Sequence, residues 1–155
     1  MAMDSFSASL MADKREIIFA PTVYKFQTFA RMAEEFQLNE RDVVLTNEFI
    51  YIPFMKELGL KCSFVFQEKF GAGEPSEAMI QTMYDAIPYD SYDRVIAVGG
   101  GAIMDLCKLL GCKRPDSVHE LYYKRFPVVH EKDVIAIPTT CGTGSECTNI
   151  SVAIV

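Results

Sequence analysis

The sequence predicts an α/β fold in which helices cover both faces of a parallel sheet. Apolar runs without polar alternation recur along the chain, and segments with helical three- and four-residue spacing separate them. Strands buried on both faces have such uninterrupted apolar sequences, and helical crossovers connect parallel strands. The length of 155 residues suits one domain with a core of its own.

The first part of the chain contains a short apolar run and then a helical pattern. Residues 1–16 show no periodicity, and we expect them to be flexible. Residues 17–20 are apolar and end at Pro21, which indicates a strand. From Thr22 the apolar side chains recur at helical spacing, which predicts a helix whose stripe faces the core: Val23, Phe26, Phe29 or Ala30, Ala33 and Phe36.

Two strands and two helices are expected next. Residues 43–46 form a β-branched strand pattern, and residues 63–67 form the next apolar run. Residues 49–58 predict a helix with Pro53 near its start and Gly59 at its end. Ser76 is expected to cap the following helix, which ends before Pro88.

The last part of the chain repeats the same alternation. Residues 94–98 read as a buried strand, and the helix that follows runs to Leu110 and stops at Gly111. Residues 112–132 are charged and weakly periodic, which predicts a loop with a short helix. Residues 134–137 form the last clear strand, and residues 151–155 predict the beginning of another.

The composition excludes several classes of protein. Half of the residues are apolar and 23% are charged, which is typical of an ordered globular protein. The net charge of −6 argues against nucleic acid as a partner, since phosphate contacts need Lys and Arg. No apolar run approaches the ~20 residues that span a bilayer, so we expect no membrane partner. Five cysteines without a CxxC pair indicate neither a disulfide framework nor a zinc site, and we expect a cytoplasmic protein.

Two loops follow apolar strands at the position where parallel sheets bind ligands. The first is GGGAIMD at 99–105, where glycines allow a close backbone approach and a helix begins. The unpaired N–H groups of a helix N-terminus suit a pyrophosphate. Its spacing is neither GxGxxG nor that of a Walker loop, so a simple tight turn is the alternative. Asp105 is expected in the first turn of that helix, beside the ligand or as a partner of the helix dipole.

The second loop is PTTCGTGSE at 138–146, which also comes directly after a strand. Its hydroxyl groups and glycines could donate hydrogen bonds to phosphate, ribose or adenine. The alternative is a solvated turn with a capping Ser or Thr. Cys141 has no neighbouring His or other base, so we expect a packing role for it and not a nucleophile.

GGGAIMD and PTTCGTGSE together resemble the paired signatures of the iron-containing (group III) alcohol dehydrogenases. The resemblance covers the chain from about residue 17 onward and implies a Rossmann-like dinucleotide-binding domain over 17–155. It also implies NAD-linked interconversion of an alcohol and an aldehyde. Further segments resemble the branch of the family that interconverts 4-hydroxybutyrate and succinate semialdehyde: PTVYKF at 21–26, LTNEF at 45–49, VFQEKFGAGEPSEAMI at 65–80 and CTNISVA at 147–153.

The resemblance assigns cofactor-binding roles to nine residues. It implies that the pyrophosphate is held by the first loop, the adenine and ribose by three threonines, and that Asp105 lies toward the nicotinamide. Asn47 stands where the family usually has an acid for the ribose hydroxyls, and an amide there repels a 2′-phosphate less than a carboxylate would; the expected cofactor is NAD. Ala102 replaces a usual Ser, and Cys147 a usual Val. The expected set is Asn47, Gly99, Gly100, Gly101, Ala102, Asp105, Thr139, Thr140 and Thr148.

The family's metal ligands have no counterpart in this sequence. In the family, one Asp and three His from a helical C-terminal domain hold a divalent metal, iron or zinc. This chain has only His119 and His130, and we expect both in surface or loop positions. The resemblance therefore implies a truncated, cofactor-binding half that is inactive alone, without catalytic or metal-binding residues. Its implied partners are a small hydroxy acid or aldehyde and, in some family members, further copies of the chain.

Two other functions stay open on the sequence. One is an enzyme of the dehydroquinate synthase type, which also uses NAD and a metal, although GTGSE argues against it. The other is a nucleotide-binding module without catalysis, complete as it stands.

Overall fold

Four parallel strands form one sheet in the part of the chain that the structure describes, and they lie side by side in the order Ser63–Phe66, Asp42–Thr46, Arg94–Gly99 and Asp133–Pro138. The computed structural model describes residues 21–123 and 127–154. The strands are β1 (Asp42–Thr46), β2 (Ser63–Phe66), β3 (Arg94–Gly99) and β4 (Asp133–Pro138). The helices are α1 (Phe29–Glu35), α2 (Glu48–Phe54), α3 (Glu77–Ala86), α4 (Gly101–Gly111) and α5 (Val118–Tyr122). The predicted α/β fold is confirmed.

Both faces of the sheet carry an apolar layer, as the sequence predicts. Successive strand residues point to opposite faces. On one face the side chains of β1 and β3 pack with α3, α4 and α5, and the sheet contributes Val43, Leu45, Val95 and Ala97. On the other face they pack with α1 and α2, and the sheet contributes Val44, Ile96 and Val98. Helices therefore cover both faces.

Helix α4 is fixed at its C-terminal end by two tyrosines. The last carbonyl groups of a helix have no N–H partner within the helix, so they need other hydrogen-bond donors. The hydroxyl of Tyr84 on α3 donates to the carbonyl of Leu109 at 3.2 Å, and that of Tyr92 donates to Leu110 at 2.9 Å. A Cβ at Gly111 would lie 2.5 Å from Val134 Cγ2, so only glycine fits between α4 and β4. These contacts hold α4 against α3 and the sheet.

A buried ion pair ties β1 to β3 at the amino ends of the strands. Asp42 is only 2% exposed and accepts from Arg94 through both carboxylate oxygens, at 2.7 and 2.8 Å. Bidentate geometry of this kind compensates for part of the cost of burying the two charges. The pair lies at the amino ends of the strands, and the glycine turn follows the carboxyl end of β3.

The first predicted helix is shorter than its apolar pattern suggests. The structure has no helix from Thr22, because α1 begins only at Phe29, where the Thr28 hydroxyl accepts from Arg31 N at 3.2 Å. Upstream, the ring of Phe26 packs edge-on against Phe36 at 5.9 Å between centroids. Val23, expected on the core stripe, is 71% exposed. The spacing of the aromatic residues reflects this ring cluster and not a helical stripe.

Helix α2 also differs from the prediction. Its α-helical part ends at Phe54, followed by a 3-10 turn over Lys56–Leu58 and by Gly59 at φ 59°. Pro53 lies near the end and not near the start. A proline lacks the N–H for the helical ladder and crowds the carbonyl four residues before it, which explains the early end.

The predicted strand over 151–155 is absent from the described residues. Ile154 forms one isolated parallel bridge with Ser76 and exchanges hydrogen bonds with Pro75 and Glu77, at 2.8 and 2.9 Å. The backbone before it bonds to Asp105, so it is not free to extend the sheet. The expectations for residues 1–16, for a strand over 17–20 and for Val155 lie outside the described residues.

None of the helices among the described residues is long and apolar enough to cross a membrane.

Candidate functional site

The carboxyl ends of three neighbouring strands bring the predicted loops together. In the register of the sheet, Leu45 pairs with Ala97, and Gly99 pairs with Pro138. The residues that follow β1, β3 and β4 therefore share one edge of the sheet. Six of the nine expected residues line one open groove, which extends from this edge along β4 to Arg94 and Asp133: Asn47, Gly100, Gly101, Ala102, Thr139 and Thr140.

The glycine turn places free N–H groups at the start of α4. The first helical hydrogen bond runs from Met104 N to Gly100 O at 3.1 Å. The N–H groups of Gly101, Ala102 and Ile103 precede this bond, and they carry the partial positive charge of the helix N-terminus. A Cβ at Gly99 would lie 2.6 Å from Ile103 Cγ1, so this glycine is required by packing within the turn.

The second loop lies directly against the glycine turn. Thr139 N donates to Gly99 O at 2.9 Å, which continues the pairing of β3 with β4. A Cβ at Gly100 would lie 3.3 Å from Thr140 Oγ1, and one at Gly101 would lie 3.2 Å from Thr143 Cγ2. The absence of side chains at these two glycines thus lets the loops approach each other closely.

Thr143, which lies close to Gly101, is not among the nine residues expected from the sequence. It belongs to the same hydroxyl-rich loop, and its neighbours Gly142 and Gly144 have φ values of 110° and 63°. Side chains other than hydrogen are strained in this region, so the two glycines shape the turn that carries Thr143 to Gly101. The alternation of glycine with threonine was the available signal.

Asp105 is the fifth residue of α4 and therefore lies in its second turn. The expectation of a first-turn position is wrong, because the helix begins at Gly101. Asp105 is 9% exposed. Its Oδ1 accepts from Ser145 Oγ at 2.6 Å and from Lys108 Nζ at 3.1 Å, and its Oδ2 accepts from Val152 N at 3.2 Å. The carboxylate is thus surrounded by donors from the protein itself.

Lys108 joins Asp105, Ser145 of the second loop and Thr148 just after that loop into what we term the Lys108 cluster: Asp105, Lys108, Ser145 and Thr148. Its ammonium donates to Ser145 Oγ at 2.7 Å and to Thr148 Oγ1 at 3.2 Å. It also donates to the carbonyl of Ile150 at 2.6 Å. Asp105 and Thr148 are thus held in this cluster, and neither they nor Gly99 line the groove that contains the other six expected residues. The sequence signal for Lys108 was its spacing of three residues from Asp105 on one helix.

Asn47 is the N-cap of α2, but its side chain accepts no hydrogen bond from the first turn of that helix. Instead, the carboxylate of Glu68, in the turn after β2, accepts a hydrogen bond from Glu48 N at 3.1 Å. The Asn47 amide is therefore not used by its own helix. Glu68, which the nine expected residues do not include, brings a negative charge close to Asn47.

The cysteines and histidines do not form a metal centre among the described residues, which contain no group of three or more His, Cys, Asp or Glu that could hold a metal ion. His119 lies on α5 with Nδ1 3.6 Å from Glu77 Oε2, and His130 is exposed. Burial raises the pKa of the Cys107 thiol, which faces the core. Cys141 is exposed at the second loop, so the packing role expected for it is wrong. The metal that the family implies does not fit these residues.

The parallel strand order, the glycine turn at a helix N-terminus and the crevice at the carboxyl edge define a Rossmann-like α/β domain. The sequence profile described as iron-containing alcohol dehydrogenase matches residues 20–155. The chain belongs to this family, as its two loop motifs predict.

Individual relatives agree with this assignment. The chain is 46% identical over 134 residues to 4-hydroxybutyrate dehydrogenase of Clostridium kluyveri, covering 86% of this chain and 36% of that protein. It is 37% identical over 87 residues to the mitochondrial hydroxyacid-oxoacid transhydrogenase of Homo sapiens, covering 51% and 19%. The chain therefore spans about a third or less of the length of these relatives.

Solved structures share the fold. An iron-containing alcohol dehydrogenase from Thermotoga maritima superposes with a TM-score of 0.66 at 25% identity, covering 86% of this chain and 40% of that one. Sulfoacetaldehyde reductase from Bifidobacterium kashiwanohense, solved in complex with NAD+, superposes with a TM-score of 0.60 at 20% identity, covering 83% and 39%. These similarities agree with the predicted Rossmann-like fold.

Proposed function

We propose that this chain binds NAD and serves an oxidoreductase that interconverts 4-hydroxybutyrate and succinate semialdehyde. The observation that carries the proposal is the pairing of the two loops at the carboxyl edge of the sheet. Free N–H groups at the start of α4 face a groove that the hydroxyl groups of Thr139 and Thr140 also line. The identity of 46% to a 4-hydroxybutyrate dehydrogenase supports the substrate.

The residues of the groove suit the parts of a dinucleotide. The N–H groups of Gly101, Ala102 and Ile103 could bind the pyrophosphate, with Gly99 and Gly100 shaping the approach. Thr139 and Thr140 would line the adenosine side. Asn47, whose amide can both donate and accept, would contact the ribose hydroxyls. When bound, NAD would accept or donate the hydride of the reaction.

The charges beside Asn47 favour NAD over NADP. Glu68 lies at the N–H of Glu48, the residue after Asn47, so carboxylates stand next to the proposed ribose position. A 2′-phosphate there would be repelled by the negative charges, whereas a free hydroxyl would not. Glu68 thus supplies the acid that position 47 lacks.

We propose that the divalent metal of the family, iron or zinc, is held by residues other than those described here. In this proposal residues 17–155 form the cofactor-binding domain, and the groups that polarise the substrate oxygen come from elsewhere. The role assigned to the chain is therefore to hold and orient the dinucleotide. The hydroxy acid or aldehyde is the small-molecule partner of the complete enzyme.

Two measurements test this function in the protein as its gene encodes it. NADH titration followed by fluorescence should show saturable binding, and amide exchange should slow in residues 99–104 and 139–145. Added iron should support NAD-linked oxidation of 4-hydroxybutyrate, with a 2-hydroxy acid and butanol as control substrates. No NADH binding would refute the cofactor, and no turnover of 4-hydroxybutyrate would refute the substrate.

A hydroxyacid-oxoacid transhydrogenase is the second candidate, favoured by the 37% identity over 87 residues. The same assay separates the two functions. Oxidation of 4-hydroxybutyrate that requires an added oxoacid, and proceeds without added NAD, would favour the second candidate. Oxidation that produces NADH without an oxoacid would favour the first.

A further inference from the structure

The Lys108 cluster fixes the far end of the second loop to α4. Lys108 and Asp105 have side chains only 13% and 12% exposed, and their charged atoms lie 3.1 Å apart. The ammonium binds Ser145 in the loop and Ile150 after it, and the carboxylate binds Ser145 and, after the loop, Val152. One ion pair on one helix therefore holds the segment 145–152.

The cluster is also joined to the backbone of α4. Ser151 Oγ donates to the carbonyl of Asp105 at 3.1 Å, and the Tyr122 hydroxyl lies 3.3 Å from Ser151 Oγ. Each charged group has several polar partners, which lowers the cost of burying the pair. Removal of one charge would leave the other buried without its counter-charge.

The near end of the second loop is fixed separately. Thr139 N bonds to Gly99 O, so the loop leaves the sheet at the base of the glycine turn. Residues 140–144 then pass over Gly100 and Gly101 before Ser145 enters the cluster. The position of these residues over the turn is thus set from both ends.

We propose that Asp105 and Lys108 are positioning residues that hold the second loop over the glycine turn and thereby set the affinity for the dinucleotide. This inference rests on the proposed function. The polar atoms of both side chains are engaged by the protein, so they act through Ser145 and the loop and do not contact the cofactor. Thr148 belongs to the same positioning set.

The test compares Lys108→Met, Asp105→Asn and the double variant in the protein as its gene encodes it. Each single variant should exchange amide hydrogens faster in residues 143–152, and should bind NADH about fivefold more weakly or worse. The double variant should bind NADH more tightly than Lys108→Met alone, because no unpaired buried charge remains. An asparagine can still donate to Ser145 Oγ and accept from Val152 N.

Arg41→Met is the control, since it breaks the ion pair of Arg41 with Asp93 at the amino ends of the strands, and neither residue lines the groove. It should lower the free energy of unfolding but leave NADH affinity within about twofold under folding conditions. Unchanged exchange in 143–152, unchanged affinity in Lys108→Met, or strict additivity in the double variant would each overturn the inference. Failure of the unsubstituted protein to bind NADH would refute the proposed function, while the exchange comparison would still decide whether the cluster positions the loop.

Discussion

Substitution of Gly100 by valine tests whether the glycine turn approaches a ligand. Gly100 is the N-cap of α4 with φ −84°, a conformation that any residue adopts. A Cβ there would lie 3.3 Å from Thr140 Oγ1 and 3.6 Å from its Cγ2, so alanine needs a shift of only a few tenths of an ångström. Valine adds two methyl groups at the point where the loops meet.

The expected effects on folding and on binding differ in size. Alanine should change the free energy of unfolding by less than about 1 kcal/mol, since a reduced unfolded-state entropy offsets a poorer cap. Valine should weaken NADH binding at least about tenfold, roughly 1.4 kcal/mol, because its methyl groups occupy the space between the loops. Fluorescence titration with NADH measures the affinity, and urea unfolding measures the stability.

Thr140 provides the control for this experiment. In Gly100→Val combined with Thr140→Ala, the close contact with the Thr140 side chain disappears while the valine side chain remains. If this double variant binds NADH as tightly as Thr140→Ala alone, the valine acts by displacing Thr140. A Gly100→Val variant that folds and binds NADH as tightly as the unsubstituted protein would refute the assignment of the pyrophosphate to this turn.

Two further predictions concern charge and thiols. Glu68→Gln should reduce the preference for NADH over NADPH by about fivefold, since charges 4 Å apart in water interact by roughly 1 kcal/mol. An unchanged ratio of the two affinities, or the same shift in the control Glu40→Gln, would contradict this prediction. Burial raises the pKa of Cys62 to about 11, so this thiol stays protonated in the folded chain while the unfolded one ionises. The free energy of unfolding should therefore fall as the pH rises above about 9. A thiol reagent at pH 8 should quickly label only the two exposed cysteines, Cys141 and Cys147. Rapid labelling of Cys62 would contradict its burial.

The sequence predicts the centre of the sheet well because β1 and β3 are buried on both faces. Residues 94–98 are uniformly apolar after Arg94, and this run fixes β3 to within one residue. The glycines after it, and the hydroxyl-rich loop after β4, mark the edge where six expected residues meet. These features are local, so composition and spacing are sufficient to find them.

The failures arise where distant residues decide the local structure. The aromatic spacing over 22–28 fits a helix, but Phe26 packs on Phe36 and the cap at Thr28 starts the helix only at Phe29. Ser145 and Val152, which donate to Asp105, are 40 and 47 residues away from it in the chain, and no periodicity predicts these two contacts.

Helix α4 connects these observations, because its parts have different tasks. Its first turn presents N–H groups to the groove, Asp105 in its second turn and Lys108 in its last turn bind the segment 145–152, and its last carbonyls receive the hydroxyl groups of Tyr84 and Tyr92. A helix held at its C-terminus by the core can transmit that rigidity to the site. The ammonium of Lys108 is neutralised by Asp105, so attraction of an anionic cofactor must come mainly from peptide dipoles. This explains how a chain with a net charge of −6 can present a site suited to pyrophosphate without a basic patch.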